Sequence, residues 1–241
     1  MKKIKTTLTS RLFFCYNEVV SKGGFFMRDI KLFVFDLDGV LTETSEQHFQ
    51  AWKLLADELG IDIDLEFNET LKGVSRMDSL ERILAHGQKH HIYNKEEKEE
   101  LAAKKNANYQ DMISKFSRKE LFDGVLELLQ LLKSKGIMVA LGSASKNGPT
   151  LLRAMEIVEY FDYIVNPALV RGKPEPDIFL KACEALMVDP KDAVGVEDAV
   201  SGIEAIKKAG MYAIGIGNKE ILKDADIIYN ETKDIKLEDI Q

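Results

Sequence analysis

From Lys31 the chain alternates short apolar runs with stretches of helical period. "KLFVF" is apolar throughout and reads as a buried strand. A helical pattern then runs from about Ser45 to Leu59 and stops at Gly60, a residue suited to a helix C-terminus. A charged region follows to about Glu120, with helical spacing in "SRMDSLERILAHG" and "NKEEKEELAAKKNANYQDMISKF". Asn94 with Glu97 three residues on marks a helix start, and the charge run reads as a solvated helix face. Beyond it the rhythm becomes regular. Helices are expected in "GVLELLQLLKSKG", "NGPTLLRAMEI", "PDIFLKACEALMV" and "AVSGIEAIKKAG". Strands are expected in "IMVALGS", "YIVNP", "DAVGVED", "MYAIGIG" and "ADIIYN".

Wholly apolar strands between helices imply a parallel sheet covered on both faces. The expected fold is therefore α/β, a doubly wound, Rossmann-like parallel sheet, with a helical cap inserted after the first strand. The expected division is residues 27–42 and 121–241 for the core and 43–120 for the cap. In such a sheet, ligands sit at the carboxyl ends of the strands. The polar clusters "DLDG", "GSASKNG", "RGKPEPD" and "VED" all fall there.

The remaining bulk properties narrow the field. A net charge of −7 argues against nonspecific nucleic-acid binding, yet leaves room for a small anion. Two cysteines, Cys15 and Cys183, make no disulfide framework, which fits a reducing cytoplasm. No apolar run is long enough to cross a membrane. The first 26 residues begin basic but lack a sustained apolar stretch and a cleavage site, so a signal peptide is rejected. Codons for "KGGFFM" would resemble a ribosome-binding site before Met27, so residues 1–26 are expected to be a translated leader or an extension outside the core. Cys183 reads as inert core, and His86, His90 and His91 lack a metal-binding spacing.

A single DxDG could be a turn, and an EF-hand is excluded by the missing alternating oxygens and closing Glu. The ordered set is more specific: Asp36 and Asp38, then Ser143, then Lys173 before Pro174, then Glu197 and Asp198. Phosphoryl transfer needs a nucleophile, a cation between anions, and donors for the equatorial oxygens. This set resembles the haloacid dehalogenase superfamily from Met27 nearly to the end. "TETSEQHFQAW", "LKGVSR", "KKNANY" and "SASKNG" make it similar most closely to the β-phosphoglucomutase family.

The resemblance implies Asp36 as nucleophile and Asp38 as general acid and base. It implies Mg²⁺ on Asp36, the Asp38 carbonyl, Asp198 and Glu197. Ser143, the Ala144 amide and Lys173 would hold the transferring phosphoryl group. Arg76 would hold a second phosphate, with Ser145, Lys146 and Asn147 helping from the core. Thr44, His48, Trp52, Lys72, Gly73, Val74, Ser75 and Lys105 would line the sugar pocket or closing cap. Glu43 stands where the family pattern has Asp. Read without the resemblance, His48 could be a packed histidine, Trp52 a core aromatic, Arg76 a partner of Asp78 and Lys105 a solvated charge.

The implied reaction interconverts β-D-glucose 1-phosphate and D-glucose 6-phosphate through an aspartyl phosphate and a glucose 1,6-bisphosphate. A cap-bearing phosphatase of a small phosphomonoester would share the core residues, and a noncatalytic sugar-phosphate sensor is the third reading. A cytoplasmic monomer with a sugar-phosphate substrate, and no nucleic-acid or membrane partner, is expected.

Overall fold

The computed structural model describes residues 29–71 and 75–240. Expectations for residues 1–26, Met27, Cys15, Lys72, Gly73 and Val74 lie outside the described residues. Six strands form one parallel sheet: β1 (Leu32–Phe35), β2 (Met138–Leu141), β3 (Tyr163–Ile164), β4 (Ala193–Glu197), β5 (Tyr212–Ile216) and β6 (Ile227–Tyr229). Their order is β3-β2-β1-β4-β5-β6. The chain winds outward to β3 on one side of β1 and to β6 on the other. The order therefore reverses between β1 and β4, where an open sheet parts into a crevice at its carboxyl ends.

Alternation along β1 shows why the strands are apolar throughout. Phe33 and Phe35 join one buried cluster, whereas Leu32 and Val34 join the other. The first face is covered by α5 (Val125–Ser134) and α6 (Gly148–Ala154), through Leu128, Leu129, Leu132, Leu151 and Leu152. The second is covered by α7 (Asp177–Leu186) and α8 (Val200–Lys208), through Phe179, Ala182, Ile203 and Ile206. A strand buried on both faces has no solvent side on which to place polar residues.

Four helices lie between β1 and α5: α1 (Ser45–Glu58), α2 (Leu65–Glu69), α3 (Arg76–His86) and α4 (Lys95–Ile113). They bury their own cluster, with Leu55, Ala56, Leu80, Ile83 and Leu84 at its centre. Asn94 and Glu97 form the reciprocal cap expected at the start of α4. The chain segments entering and leaving this helical group are tied together. Thr42 Oγ1 donates to the Glu120 carbonyl at 2.6 Å, and the Phe122 amide to the Leu41 carbonyl at 3.0 Å.

Helix α8 lies so close to the sheet that β4 needs a glycine. A Cβ on Gly195 would come within 2.5 Å of the fully buried Ile206. Gly195→Val is expected to cost about 1–3 kcal/mol by overpacking. Urea unfolding should show a lower midpoint with an unchanged slope.

Candidate active site

The two acids of "DLDG" do not sit within the strand. β1 ends at Phe35, and Asp36 is its first residue beyond, its amide still donating to the Val196 carbonyl at 3.0 Å. The chain then turns sharply. Leu41 and Thr42 donate to the Leu37 carbonyl, Gly39 donates to the Thr42 carbonyl, and Asp38 bridges to Thr42. Gly39 carries this turn at φ +73°, and a Cβ there would lie 2.1 Å from Asp198 Oδ2. The turn sends the two carboxylates to different neighbours.

Asp36 faces inward. Lys173 donates to Asp36 Oδ1 and to Glu197 Oε1, with all three side chains largely buried. Glu197 Oε2 accepts the amides of Asp198 and Ala199, each at 2.9 Å, so Glu197 fixes both Lys173 and the turn after β4. Burial raises the Asp36 carboxyl to about 6; Lys173 opposes that rise and Glu197 adds to it. Burial disfavours the Lys173 cation, but Asp36 and Glu197 outweigh this and hold its pKa above the ordinary value. Asp198 is raised to about 7 by burial, Glu197 and Asp36. Asp36, Glu197 and Asp198 thus crowd three carboxylates against one ammonium.

Among the described residues, no three acidic, His or Cys side chains form a ready-made metal cage. The crowding still fits a hard divalent cation beside Asp36 and Asp198. Mg²⁺ binds through one or two carboxylates and completes its shell with water and substrate oxygens.

Asp38 faces the cap. Thr44 Oγ1, fully buried, donates to its Oδ1 at 2.5 Å. Burial pushes the Asp38 carboxyl up to about 7, and the Thr44 hydrogen bond pulls against it. Behind Thr44 lies His48 on α1. The Lys105 ammonium, on α4, contacts His48 Nδ1 at 2.8 Å. When Lys105 is protonated it can only donate, so Nδ1 then accepts and the ring proton sits on Nε2. Burial, Lys105 and Arg76 depress His48 to about 3. Lys105 is 2% exposed, and burial with Arg76 nearby lowers it to about 7. Trp52 and Tyr109 present ring faces to this cation at 4.8 and 4.9 Å. Lys105 is thus no solvated charge, and Trp52 serves both the cap core and the cation.

Arg76 opens α3, half-buried, just after its N-cap Ser75. Asp78 is engaged by Ser75 at 2.7 Å, and among the described residues Arg76 closes no ion pair. On the core side, Ser143 is buried and its Oγ accepts the Ser145 amide at 3.1 Å. Ser145 Oγ accepts the Asn147 amide at 3.3 Å, while Ala144 and Lys146 are exposed. A cavity of about 630 Å³ touches the site only at Gly39 and Asp198, between Leu121–Asp123 and the ends of β5 and β6.

Sequence reasoning missed three residues of α4. Tyr109 stacks on His48 at 4.0 Å and is fully buried, and burial with Asp38 raises its phenol. Asn106 and Gln110 reach Asn147 across the cleft. The signal was their spacing: Tyr109 lies one helical turn after Lys105, and Gln110 one turn after Asn106.

A family model for haloacid dehalogenase-like hydrolases matches residues 30–210. The chain belongs to that family. It is 46% identical over 210 residues to a β-phosphoglucomutase of Bacillus subtilis strain 168, covering 87% of this chain and 93% of that protein. It is 30% identical over 184 residues to a phosphorylated carbohydrates phosphatase of Thermotoga maritima, covering 75% and 82%. A crystal structure of β-phosphoglucomutase from Clostridium difficile superposes with a TM-score of 0.81 at 43% identity, covering 88% of this chain and 96% of that one. The six-stranded parallel sheet with helices on both faces is the fold expected from the sequence.

Two outcomes follow for the cap-side pair. Folded Lys105 loses its proton near pH 7, whereas an unfolded lysine keeps it to about 10.4. The unfolded chain thus binds the extra proton between those values, so wild-type stability rises with pH across that window. Lys105→Met should remove that slope, and its gain over wild type should be largest below pH 7, as read by urea unfolding from pH 6 to 10. Thr44→Val removes the hydrogen bond that favours ionised Asp38. The Asp38 titration, followed by carboxyl ¹³C NMR, should move above its value of about 7.

Proposed function

We propose that this chain interconverts β-D-glucose 1-phosphate and D-glucose 6-phosphate, with Asp36 as nucleophile and Asp38 as acid and base. The observation that carries this is the division of two neighbouring carboxylates between two environments. Asp36 is held by the Lys173 cation, and Asp38 by a neutral hydroxyl at the entry to the cap. A nucleophile must stay ionised. A proton carrier works best with a pKa near the operating pH, as at Asp38.

In this reading an Asp36 oxygen attacks phosphorus, and the bond to the donor oxygen breaks. Asp38 gives that leaving oxygen a proton. In the reverse sense Asp38 takes a proton from a sugar hydroxyl as it attacks the aspartyl phosphate. Lys173, Ser143 and the Ala144 amide hold the transferring oxygens. Asp36, the Asp38 carbonyl and Asp198 would hold Mg²⁺, which offsets repulsion between the two reacting anions. Glu197, already binding Lys173 and two amides, completes the acidic wall. Residues 43–120 act as the cap over the 27–42 and 121–241 core. Arg76, with Ser145, Lys146 and Asn147, grips the second phosphate, since a guanidinium fork matches phosphate geometry.

Lys72, Gly73, Val74 and Ser75 would line the pocket beside it. The chain would act as a cytoplasmic monomer. A phosphatase of a small phosphomonoester would share the core, but its substrate carries no second phosphate for Arg76 to grip. The buried Lys105–His48 pair on the cap, together with Arg76 and the relatives above, favours transfer between sugar positions over transfer to water.

With Mg²⁺, β-glucose 1-phosphate and a trace of glucose 1,6-bisphosphate, the chain should form glucose 6-phosphate. Release of inorganic phosphate instead would identify the phosphatase, and no turnover the sensor. Asp36→Ala should lose turnover by at least about 10³-fold, as for removal of a covalent nucleophile, with its circular dichroism unchanged. Full activity in that variant would end the assignment.

A further inference from the structure

We propose that Asn106 and Gln110 of α4 are positioning residues that clamp Asn147, so that cap closure and the shape of the phosphate-binding loop become one event. Asn147 is 5% exposed, and both ends of its amide are used by the cap. Its Nδ2 donates to Asn106 Oδ1 at 3.2 Å, and its Oδ1 accepts from Gln110 Nε2 at 3.1 Å. The two α4 residues lie one turn apart on a single face, so a rigid helix presents an acceptor and a donor together.

Asn147 is also the end of a chain of hydrogen bonds along the loop. Its backbone amide donates to Ser145 Oγ, and the Ser145 amide donates to Ser143 Oγ. Holding the Asn147 side chain therefore fixes the residue from which the Ser145 and Ser143 oxygens take their orientation. The neighbouring stripe of α4 carries Lys105 and Tyr109 onto His48. One helix thus fastens to the core loop with Asn106 and Gln110 and supports the Thr44–Asp38 side with Lys105 and Tyr109. Neither residue is a ligand for the reacting atoms, and each acts through Asn147.

This inference rests on the reading that Asp36 forms a phosphoenzyme, which water can also attack. A cap that opens too readily admits water. Three variants separate the clamp from a general packing role: Asn106→Leu and Gln110→Met remove the polar partners at similar volume, while Asn106→Asp keeps the acceptor. Each full-length protein is phosphorylated with acetyl phosphate and Mg²⁺, and phosphoenzyme decay to water is compared with transfer to β-glucose 1-phosphate. The Leu and Met variants should lose about tenfold more phosphoenzyme to water per transfer, the scale of one hydrogen bond. Their phosphorylation by acetyl phosphate, which also uses the Ser143 loop, should fall by less than the partition shifts. Asn106→Asp, which keeps the acceptor, should partition closer to wild type than Asn106→Leu. Unchanged partitioning in the Leu and Met variants, or equal behaviour of Asn106→Leu and Asn106→Asp, would overturn the clamp. A fluorescence pair across cap and core gives a readout that needs no chemistry: the closed population should fall in the Leu and Met variants alone. If wild type forms no phosphoenzyme, the proposed reaction fails while this distance measurement still decides the clamp.

Discussion

Everything at the mouth of the sheet depends on one buried ammonium. Lys173 comes from the loop after β3, Asp36 from the end of β1 and Glu197 from the end of β4, and the three meet where the strand order reverses. None of these charges could stay buried alone, because an isolated ion taken from water costs several kcal/mol or more, by about the effective penalty seen in real proteins. Removing any one leaves an uncompensated charge under the others. The arrangement is therefore a poor source of net stability and a strong source of geometry. It also remains incomplete, since among the described residues Asp198 stands beside the cluster without a hydrogen-bonded cation of its own and shares its repulsion. That surplus of negative charge suits a hard cation, which binds through one or two carboxylates.

The same constraint explains how two acids one residue apart come to differ. A continuing strand would have placed Asp36 and Asp38 on one face, two equivalent carboxylates in one field. The strand instead stops at Phe35, and the Gly39 turn carries Asp38 towards Thr44. Asp36 then answers to Lys173 and Asp38 to the cap linker. Two carboxyl groups whose surroundings differ in this way can take the ionised and the proton-carrying roles at one pH. The Thr42–Glu120 and Leu41–Phe122 hydrogen bonds cross the base of that linker, so the entry and exit of the helical group are held together beside Asp38.

The parts most legible in the sequence were those with one dominant cause. Apolar runs such as "LFVF" and "AVGVE" can only be strands buried on both faces, and Asn94 with Glu97 can only gain by capping a helix. That Asp36, Lys173 and Glu197 would meet was legible because each falls at or beyond a strand's carboxyl end, where a doubly wound sheet gathers its loops. Less legible features had competing causes. The strand expected through "YIVNP" shrinks to two residues, because Pro167 cannot extend the ladder and β3 is an edge. The short helix α2 has too few turns for a period to show. The different neighbours of Asp36 and Asp38 did not show in their spacing, because the turn at Gly39 sets them.

Helix α4 is the clearest case, and it shows why a functional cap resists reading by hydrophobic pattern. Its first half, "KEEKEE", is the solvated charge run that the sequence suggests. Its second half buries Lys105 and Tyr109 and sets the partly buried Asn106 and the exposed Gln110 against Asn147, so polar residues lie on the side that meets the core. Tyr109 and Ile113 also enter the buried cluster under the first sheet face, so α4 meets the core through apolar and polar contacts together. Its hydrogen bonds to Asn147 are each of modest net worth, because a bond made there replaces one made to water. Polar residues at buried or cleft-facing positions blur the contrast between the two faces of α4, and a pattern search that looks for an apolar stripe passes over it.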